Sequence, residues 1–311
     1  MLEGSRVLVT GGKGLVGTAL ARQLRESAAC EVFDPSSAEL DLCDRGATER
    51  YFQATRPDFV FHLAGYVHGI MGNMLNQAEA YLRNTLINTN VVEQCVNHGV
   101  SKVVAMGTIA MYPEPSPRLP LREEDLWQGP PYFAEYGYAN AKRGMVAHLE
   151  ACRQSYNTRY AVAISTNLFG PNDRFNTATG HVVPSLVRKF FEAKARDEHV
   201  YVWGDGTQER DFLYVEDAAL GLRVIMEQLT GLVNLASGVN RTIRDVVSVL
   251  EEHVGMRGRV QWDTSKPRGQ ERRTFDVSVL TSAGFSAQYD FDAALRTTYD
   301  WYAANAADAR D

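Results

Sequence analysis

Apolar positions along the chain fall into short blocks of two kinds. Arg6–Thr10 (RVLVT) is a β-branched run closed by glycines, and in Leu15–Leu24 (LVGTALARQL) the apolar residues recur at helical spacing. This reads as strand, tight turn, helix. The pattern repeats: Glu31–Phe33 (EVF) predicts a second strand and Gly46–Thr55 a helix. Asp58–Ala64 (DFVFHLA) predicts a strand apolar enough for burial on both faces. A long helix near Ala78–Asn97 follows, then a strand at Lys102–Gly107, a helix from about Tyr138 to Gln154, and a strand at Tyr160–Thr166. Alternating strands and helices predict an α/β fold, a Rossmann-type doubly wound parallel sheet.

After Gly170-Pro171 the texture changes to a loop rich in Gly, Asn, Asp and Thr. We therefore expect a dinucleotide-binding domain over residues 1–170. A smaller C-terminal substrate-binding lobe, mainly 171–311, would interleave with it. Within the lobe the pattern predicts a strand near Val200–Trp203, a helix near Glu216–Leu229, a strand at Leu232–Leu235 and a helix from Thr242 to Val254. Thr242 with Asp245 has the spacing of a capping box.

Composition narrows the function more than the fold. The 311 residues are 45% hydrophobic and 23% charged, ordinary globular usage, and the formal net charge is -6. A surface that coats nucleic acid needs a basic excess, so no nucleic-acid partner is expected and any phosphate binding must be local. Cys30, Cys43, Cys95 and Cys152 lack the short pair spacings of zinc sites, so they read as reduced thiols with no metal site. Met1–Thr10 lacks the features of a signal peptide, and no apolar run approaches the roughly 20 residues of a membrane span. A cytoplasmic location and no membrane partner are the resulting expectations.

The turn Gly11-Gly12-Lys13-Gly14-Leu15-Val16-Gly17 spaces its glycines as GxxGxxG between a strand and a helix. Glycines there permit the tight turn and let the backbone approach a pyrophosphate, while the helix N-terminus offers free N–H groups to the anion. Asp34, ending the second strand, would accept the ribose 2′-hydroxyl of NAD and repel the extra phosphate of NADP. Lys13 could instead counter a 2′-phosphate, so the two residues point in opposite directions. Asp41 and Leu42 are expected to flank adenine, and Leu63, Ala64 and Gly65 to line the cofactor crevice.

Tyr138 and Lys142 lie four apart, on one face of a helix. An ammonium beneath a phenol, aided by a nearby nicotinamide cation, lowers the phenol pKa from near 10 toward working pH. The phenol could then exchange a proton with a sugar oxygen while hydride moves at the attached carbon. Thr108, just past the fourth strand, could hydrogen-bond the same oxygen and stabilise developing charge.

With these elements assembled, the chain resembles the extended short-chain dehydrogenase/reductases, and among them the GDP-L-fucose synthase family. The likeness runs nearly end to end through Gly11–Gly17 (GGKGLVG), Phe61–Asn73 (FHLAGYVHGIMGN), Tyr136–Lys142 (YGYANAK), Thr166–Asp173 (TNLFGPND), Gly180–Pro184 (GHVVP), Val202–Phe212 (VWGDGTQERDF) and Gly269–Asp276 (GQERRTFD). The resemblance implies NADP(H) as cofactor, with NAD(H) left open by Asp34. It also implies a GDP-linked 4-keto-6-deoxy sugar that is epimerised at carbons 3 and 5 and then reduced at carbon 4. Epimerisation needs a base on one face and an acid on the other. The family assigns these to a Cys two residues beyond the hydroxyl position and a His before VxP. This chain has Ala110 in the first place and His181 in the second.

Alanine cannot move a proton, so the expectation is a 4-ketoreductase without the epimerase half-reaction, on a hexose or a heptose. His181 remains either a proton carrier or a substrate hydrogen-bonding residue. His68, where the family has glycine, is either a replacement acid or base or a surface loop residue. The resemblance further implies nucleotide-sugar contacts from Asn167, Lys189, Trp203, Arg210 and Arg273. It also implies a homodimer through the helices bearing Tyr138 and Ala78–Asn97. Three other readings stay open: a nucleotide-sugar epimerase or 4-dehydrogenase that retains its NAD, the full epimerase-reductase, and a catalytically silent, cofactor-sensing protein.

Overall fold

A computed structural model describes the chain except residues 28–29, 178–179, 266–270 and 311. Gly269 and Gln270 of the last motif therefore lie outside the described residues. The first half runs β1 (Arg6–Thr10), α1 (Leu15–Ser27), β2 (Glu31–Phe33), α2 (Arg45–Thr55), β3 (Phe59–His62), α3 (Ile70–Leu75), α4 (Gln77–Asn97), β4 (Lys102–Thr108), α5 (Tyr136–Tyr156) and β5 (Tyr160–Ser165). The second runs β6 (Asn167–Phe169), α6 (Val182–Arg196), β7 (Val200–Trp203), β8 (Glu209–Tyr214), α7 (Val215–Gln228), β9 (Gly231–Leu235), β10 (Asn240–Thr242), α8 (Ile243–Val254), β11 (Val260–Asp263), α9 (Ser278–Ser282) and α10 (Phe291–Asn305).

A six-stranded parallel sheet, ordered β2-β1-β3-β4-β5-β9, forms the frame. Its strands are apolar on both faces because each face meets a helical layer. Val7 and Val9 of β1, with Phe59 and Phe61 of β3, enter one core beside α1 and α7. Leu8 and Val60, pointing the other way, enter a second core with Phe52 of α2, Val91 and Val92 of α4 and Met145 and Leu149 of α5. The strand order reverses at β1, with β2 on one side and β3 on the other, and a crevice opens there at the carboxyl ends of the strands.

The later segments interleave, since β9 returns to complete the main sheet while β10-β8-β6 and β11-β7 form two smaller sheets. The predicted capping box is present: Asp245 N–H donates to Thr242 Oγ1 at 3.1 Å and Thr242 N–H to Asp245 Oδ2 at 2.8 Å. The strand expected at Asp58–Ala64 is shorter, and Leu63, Ala64 and Gly65 leave it as irregular backbone above the sheet. Helix α6 has no counterpart in the sequence reading. Pro184 lies in its first turn, where the missing N–H costs nothing, and Val183, Leu186, Val187, Phe190 and Ala193 bury its apolar face.

Candidate active site

The glycine turn is shaped by what it cannot hold. Gly11 has φ +71°, and a Cβ there would stand 2.8 Å from the Ala64 amide nitrogen; one on Gly17 would stand 2.2 Å from Gly11 O. The turn therefore packs against Leu63-Ala64 on one side and α1 on the other. Gly12 and Gly14 stay bare between them, and Leu15 and Val16 begin α1 half-buried. A cradle that any side chain would fill, closed by the first N–H groups of a helix, fits a dinucleotide diphosphate.

Beside it lies a pocket lined by Lys13, Val32, Phe33, Asp34, Pro35, Glu39 and Tyr51. The residues that the sequence set in opposition are partners here. Lys13 Nζ lies 2.9 Å from Asp34 Oδ2, and Arg25 Nη2 2.6 Å from Oδ1. Burial pushes the Asp34 carboxyl up, but hydrogen bonds and charge from Arg25 and Lys13 outweigh it and hold the group below the ordinary carboxylate range. Lys13 and Arg25 bracket the Asp34 carboxylate, and Glu39 brings a second carboxylate to the same lining. Asp41 and Leu42 stand outside this lining: Asp41 Oδ1 accepts from the Cys43 N–H at 2.9 Å, and Leu42 is buried in the core.

Across the crevice, the end of β4 meets the start of α5. Tyr138 and Lys142 are both buried, and Lys142 Nζ donates to Met106 O at 3.0 Å, beside Gly65. Burial brings the Lys142 ammonium down to about 8. The phenol departs from expectation: burial and the Glu135 charge push it above its ordinary value, and a hydrogen bond with Thr108 pulls it only partly back. The reason is desolvation, which disfavours a phenolate in a closed site. Thr108 Oγ1 also accepts from Ala110 N–H at 3.3 Å, capping a short turn over Ile109–Met111. Ala110 is sealed in a small cluster with Ala80, Tyr138 and Ala139, against which Tyr66 and Val67 pack.

A buried histidine joins the nucleotide and catalytic sides. His62 Nδ1 lies 2.8 Å from Thr10 Oγ1 and Nε2 3.0 Å from Asn88 Oδ1. Asn88 Nδ2 in turn donates to Ala141 O on α5 at 3.4 Å. Because Thr10 Oγ1 accepts from the Ala64 N–H, we assign its hydroxyl as donor to Nδ1 and the proton of the ring to Nε2.

His68 lies half-buried rather than on an open loop. Its ring meets Tyr66 edge-on at 4.5 Å, and its Nε2 is buried without a hydrogen-bond partner. His181 N-caps α6 through its backbone and is exposed. Burial and the Arg174 charge pull the His68 imidazole below its ordinary value, and the same Arg174 charge acts on His181 in the same direction. Asn167 Nδ2 donates to Asp211 O at 3.0 Å; Lys189 donates to Tyr201 O at 3.0 Å and lies 5.9 Å over the Trp203 ring. Burial and the Arg273 charge bring Arg210 down to about 10. Arg273 itself is buried, donating to Ile109 O at 2.8 Å, and its Nε is unsatisfied. Arg273 Nη2 also lies 3.5 Å from Glu114 Oε2, and the Glu135 charge acts on it, so carboxylates already face this guanidinium beside Arg210.

Comparison with known proteins decides the family. The model of the NAD dependent epimerase/dehydratase family matches residues 7–236. GDP-L-fucose synthase 1 of Arabidopsis thaliana is 35% identical over 306 residues, covering 97% of this chain and 94% of that protein. The chain belongs to the NAD-dependent epimerase/dehydratase family. This makes it a short-chain dehydrogenase/reductase-type enzyme. A GDP-L-fucose synthetase from Naegleria fowleri bound to NADP superposes with a TM-score of 0.92 at 30% identity, covering 100% of this chain and 98% of that one. A GDP-6-OMe-4-keto-L-xylo-heptose reductase from C. jejuni gives 0.90 at 25% identity, covering 98% and 99%. Synthases and reductases of GDP-sugars thus share this family frame.

Within that frame, sequence reasoning missed Glu135 and Arg174. Glu135 precedes Tyr138 by three, a spacing that brings it to the phenol. Burial raises its carboxyl, while Arg273 and a hydrogen bond with Asn73 pull it back. Arg174 donates to Val67 O at 3.0 Å and so reaches back toward the His68 loop. Its only sequence signal was its place beside the Gly170–Asp173 motif. Among the described residues, no group of three or more His, Cys, Asp or Glu could hold a metal ion, and no helix is long and apolar enough to cross a membrane.

Proposed function

We propose that the protein is an NADPH-dependent reductase of carbon 4 in a GDP-linked 4-keto-6-deoxy hexose or heptose, and that it leaves carbons 3 and 5 unepimerised. The observation that carries this reading is the packing of Ala110 against Tyr138. A methyl group occupies the position that the family resemblance gives to one epimerisation proton carrier, while Tyr138 and Lys142 are both present beside it.

In this reading Gly11, Gly12, Gly14, Leu15, Val16 and Gly17 cradle the dinucleotide, and Leu63, Ala64 and Gly65 form the opposite wall. Lys13, with Arg25, receives the 2′-phosphate; Asp34, already engaged by both, positions these cations instead of repelling the phosphate. Asp41 and Leu42 remain proposed adenine neighbours through their backbone. When bound, the reduced nicotinamide supplies hydride to carbon 4. Thr108 hydrogen-bonds the ketone oxygen, and Tyr138 delivers the phenolic proton as the oxygen gains charge. The raised phenol pKa suits an acid that must stay protonated until that moment. Lys142 fixes the ribose and, charged, steadies the phenolate left behind.

Arg210 and Arg273 hold the GDP diphosphate, Lys189 and Trp203 border the base, and Asn167, His68 and His181 meet the sugar. Residues 1–170 thus serve the dinucleotide and 171–311 mainly the nucleotide sugar. We further propose a homodimer through α4 and α5, which leave Tyr81, Leu82 and Tyr136 exposed and share a groove lined by Tyr81, Thr85, Asn140 and Gly144. Sedimentation at dimer mass is the check.

The deciding experiment offers GDP-linked 4-keto hexoses and heptoses with NADPH or NADH and follows the loss of reduced-nicotinamide absorbance. Turnover of a 4-keto sugar supports the reading; no consumption of either cofactor with any of them refutes it.

A further inference from the structure

Beyond α10 the chain folds back across the nucleotide turn. Ala309 packs against the core, and the Phe175 N–H donates to Arg310 O at 2.9 Å, which ties this segment to the loop bordering the sugar. From that anchored backbone the Arg310 side chain reaches the glycine turn. Nη1 donates to Lys13 O at 3.1 Å and lies 3.9 Å from where a Cβ on Gly14 would stand. That bond uses one of the guanidinium's five N–H donors.

Gly14 is the middle glycine, whose missing side chain lets a diphosphate approach the backbone. The guanidinium therefore borders the path of the two phosphates. The Lys13 ammonium does not compete for this role, being turned to Asp34. Charge around Arg310 leans the same way. Arg174 is close enough to oppose its protonation, and the Asp173 carboxyl that would offset both is itself pushed up to about 7 by burial, with Oδ2 unpartnered. A half-buried guanidinium with a second cation beside it is costly without an anion, and the diphosphate is an anion of the right charge at the right place.

We propose that Arg310 is a ligand of the dinucleotide diphosphate, so that the segment after α10 completes the cofactor site. The inference rests on the dinucleotide reading above. It also couples the cofactor to the sugar side, because the backbone that carries Arg310 holds Phe175.

The test is direct equilibrium binding, by protein fluorescence or calorimetry, of NADPH and of adenosine 2′-phosphate, which lacks the diphosphate altogether. For Arg310→Gln we expect the NADPH Kd to rise roughly tenfold to a hundredfold, the loss of charge-assisted hydrogen bonds, while the adenosine 2′-phosphate Kd changes by less than about threefold. Retained adenosine 2′-phosphate binding also shows that the variant is folded, and Arg310→Lys should recover part of the NADPH affinity. An unchanged NADPH Kd in Arg310→Gln, or equal weakening of both ligands, would overturn the proposal. Failure of the unaltered protein to bind either ligand would instead overturn the dinucleotide reading itself.

Discussion

Lys13 and Asp34 form an ion pair at 2.9 Å, with Arg25 completing the carboxylate's coordination at 2.6 Å. In the proposed reading, cofactor choice follows from Lys13 and Arg25 set against Asp34 and Glu39, rather than from the Asp34 carboxylate alone. Lys13→Ala and Arg25→Ala should each weaken NADPH by about tenfold and NADH by much less, since each removes a charge-assisted contact to the 2′-phosphate. Asp34→Asn should not improve NADH, and its effect on NADPH affinity should be smaller than that of Lys13→Ala or Arg25→Ala. Titrations with both cofactors check this, and a mutant that lost NADH and NADPH equally would contradict it.

Tyr138→Phe removes the proposed proton donor and leaves the ring in its cluster. Turnover should fall by about 10²- to 10⁴-fold with NADPH affinity unchanged. Thr108→Val should lose activity through the same ketone oxygen, whereas Thr108→Ser should keep most of it.

The pH profile should report Lys142. Buried down to about 8, its ammonium loses its proton above that pH, while the phenol, pushed up, keeps its own. The value of kcat/KM for reduction should therefore fall as pH rises through about 8. A profile flat to about pH 10 would remove Lys142 from the role given to it.

Solvent deuterium separates reduction from epimerisation. In deuterated water the product of the unaltered enzyme should carry no solvent deuterium at carbons 3 and 5. Ala110→Cys places a thiol beside Tyr138, and deuterium should then appear at one or both carbons. Label in the product of the unaltered enzyme would show that another residue, His68 or Glu135 foremost, has taken over the proton.

Stability carries a separate signature from Asp173. Burial raises its carboxyl from 3.8 to about 7 in the folded chain. The native state thus keeps a proton that the unfolded state gives up, and stability falls as pH rises between about 4 and about 7. Asp173→Asn should flatten that fall and raise Tm at pH about 8, by up to roughly 4 kcal/mol of unfolding free energy before relaxation. Melting curves at both ends of the window decide it.

The chemistry that depends on local spacing was readable from the residues themselves. Gly11–Gly17 had to join a strand to a helix, and Tyr138 and Lys142 had to share a face. The structure adds what spacing does not encode. Arg25 reaches Asp34 only because α1 and β2 lie side by side, and Arg310 reaches Lys13 from the far end of the described chain. Tyr138 misled for a related reason: a lysine four residues on suggests an acidified phenol, yet burial and Glu135 act in the opposite direction. Helix α6 escaped because Pro184 reads as a breaker unless its place in the first turn is known. The short strands β8, β10 and β11 are half-polar and take their identity from partners distant in sequence.

His62 is fully enclosed, and burial together with the Lys142 charge brings its imidazole down to about 3. It therefore stays uncharged across any pH at which the enzyme would work. A ring that cannot titrate makes a poor sensor and a good gauge block. With one nitrogen on Thr10, at the end of the strand that enters the glycine turn, and the other on Asn88, which bonds α5, its fixed width spaces the turn from the helix that carries Tyr138 and Lys142.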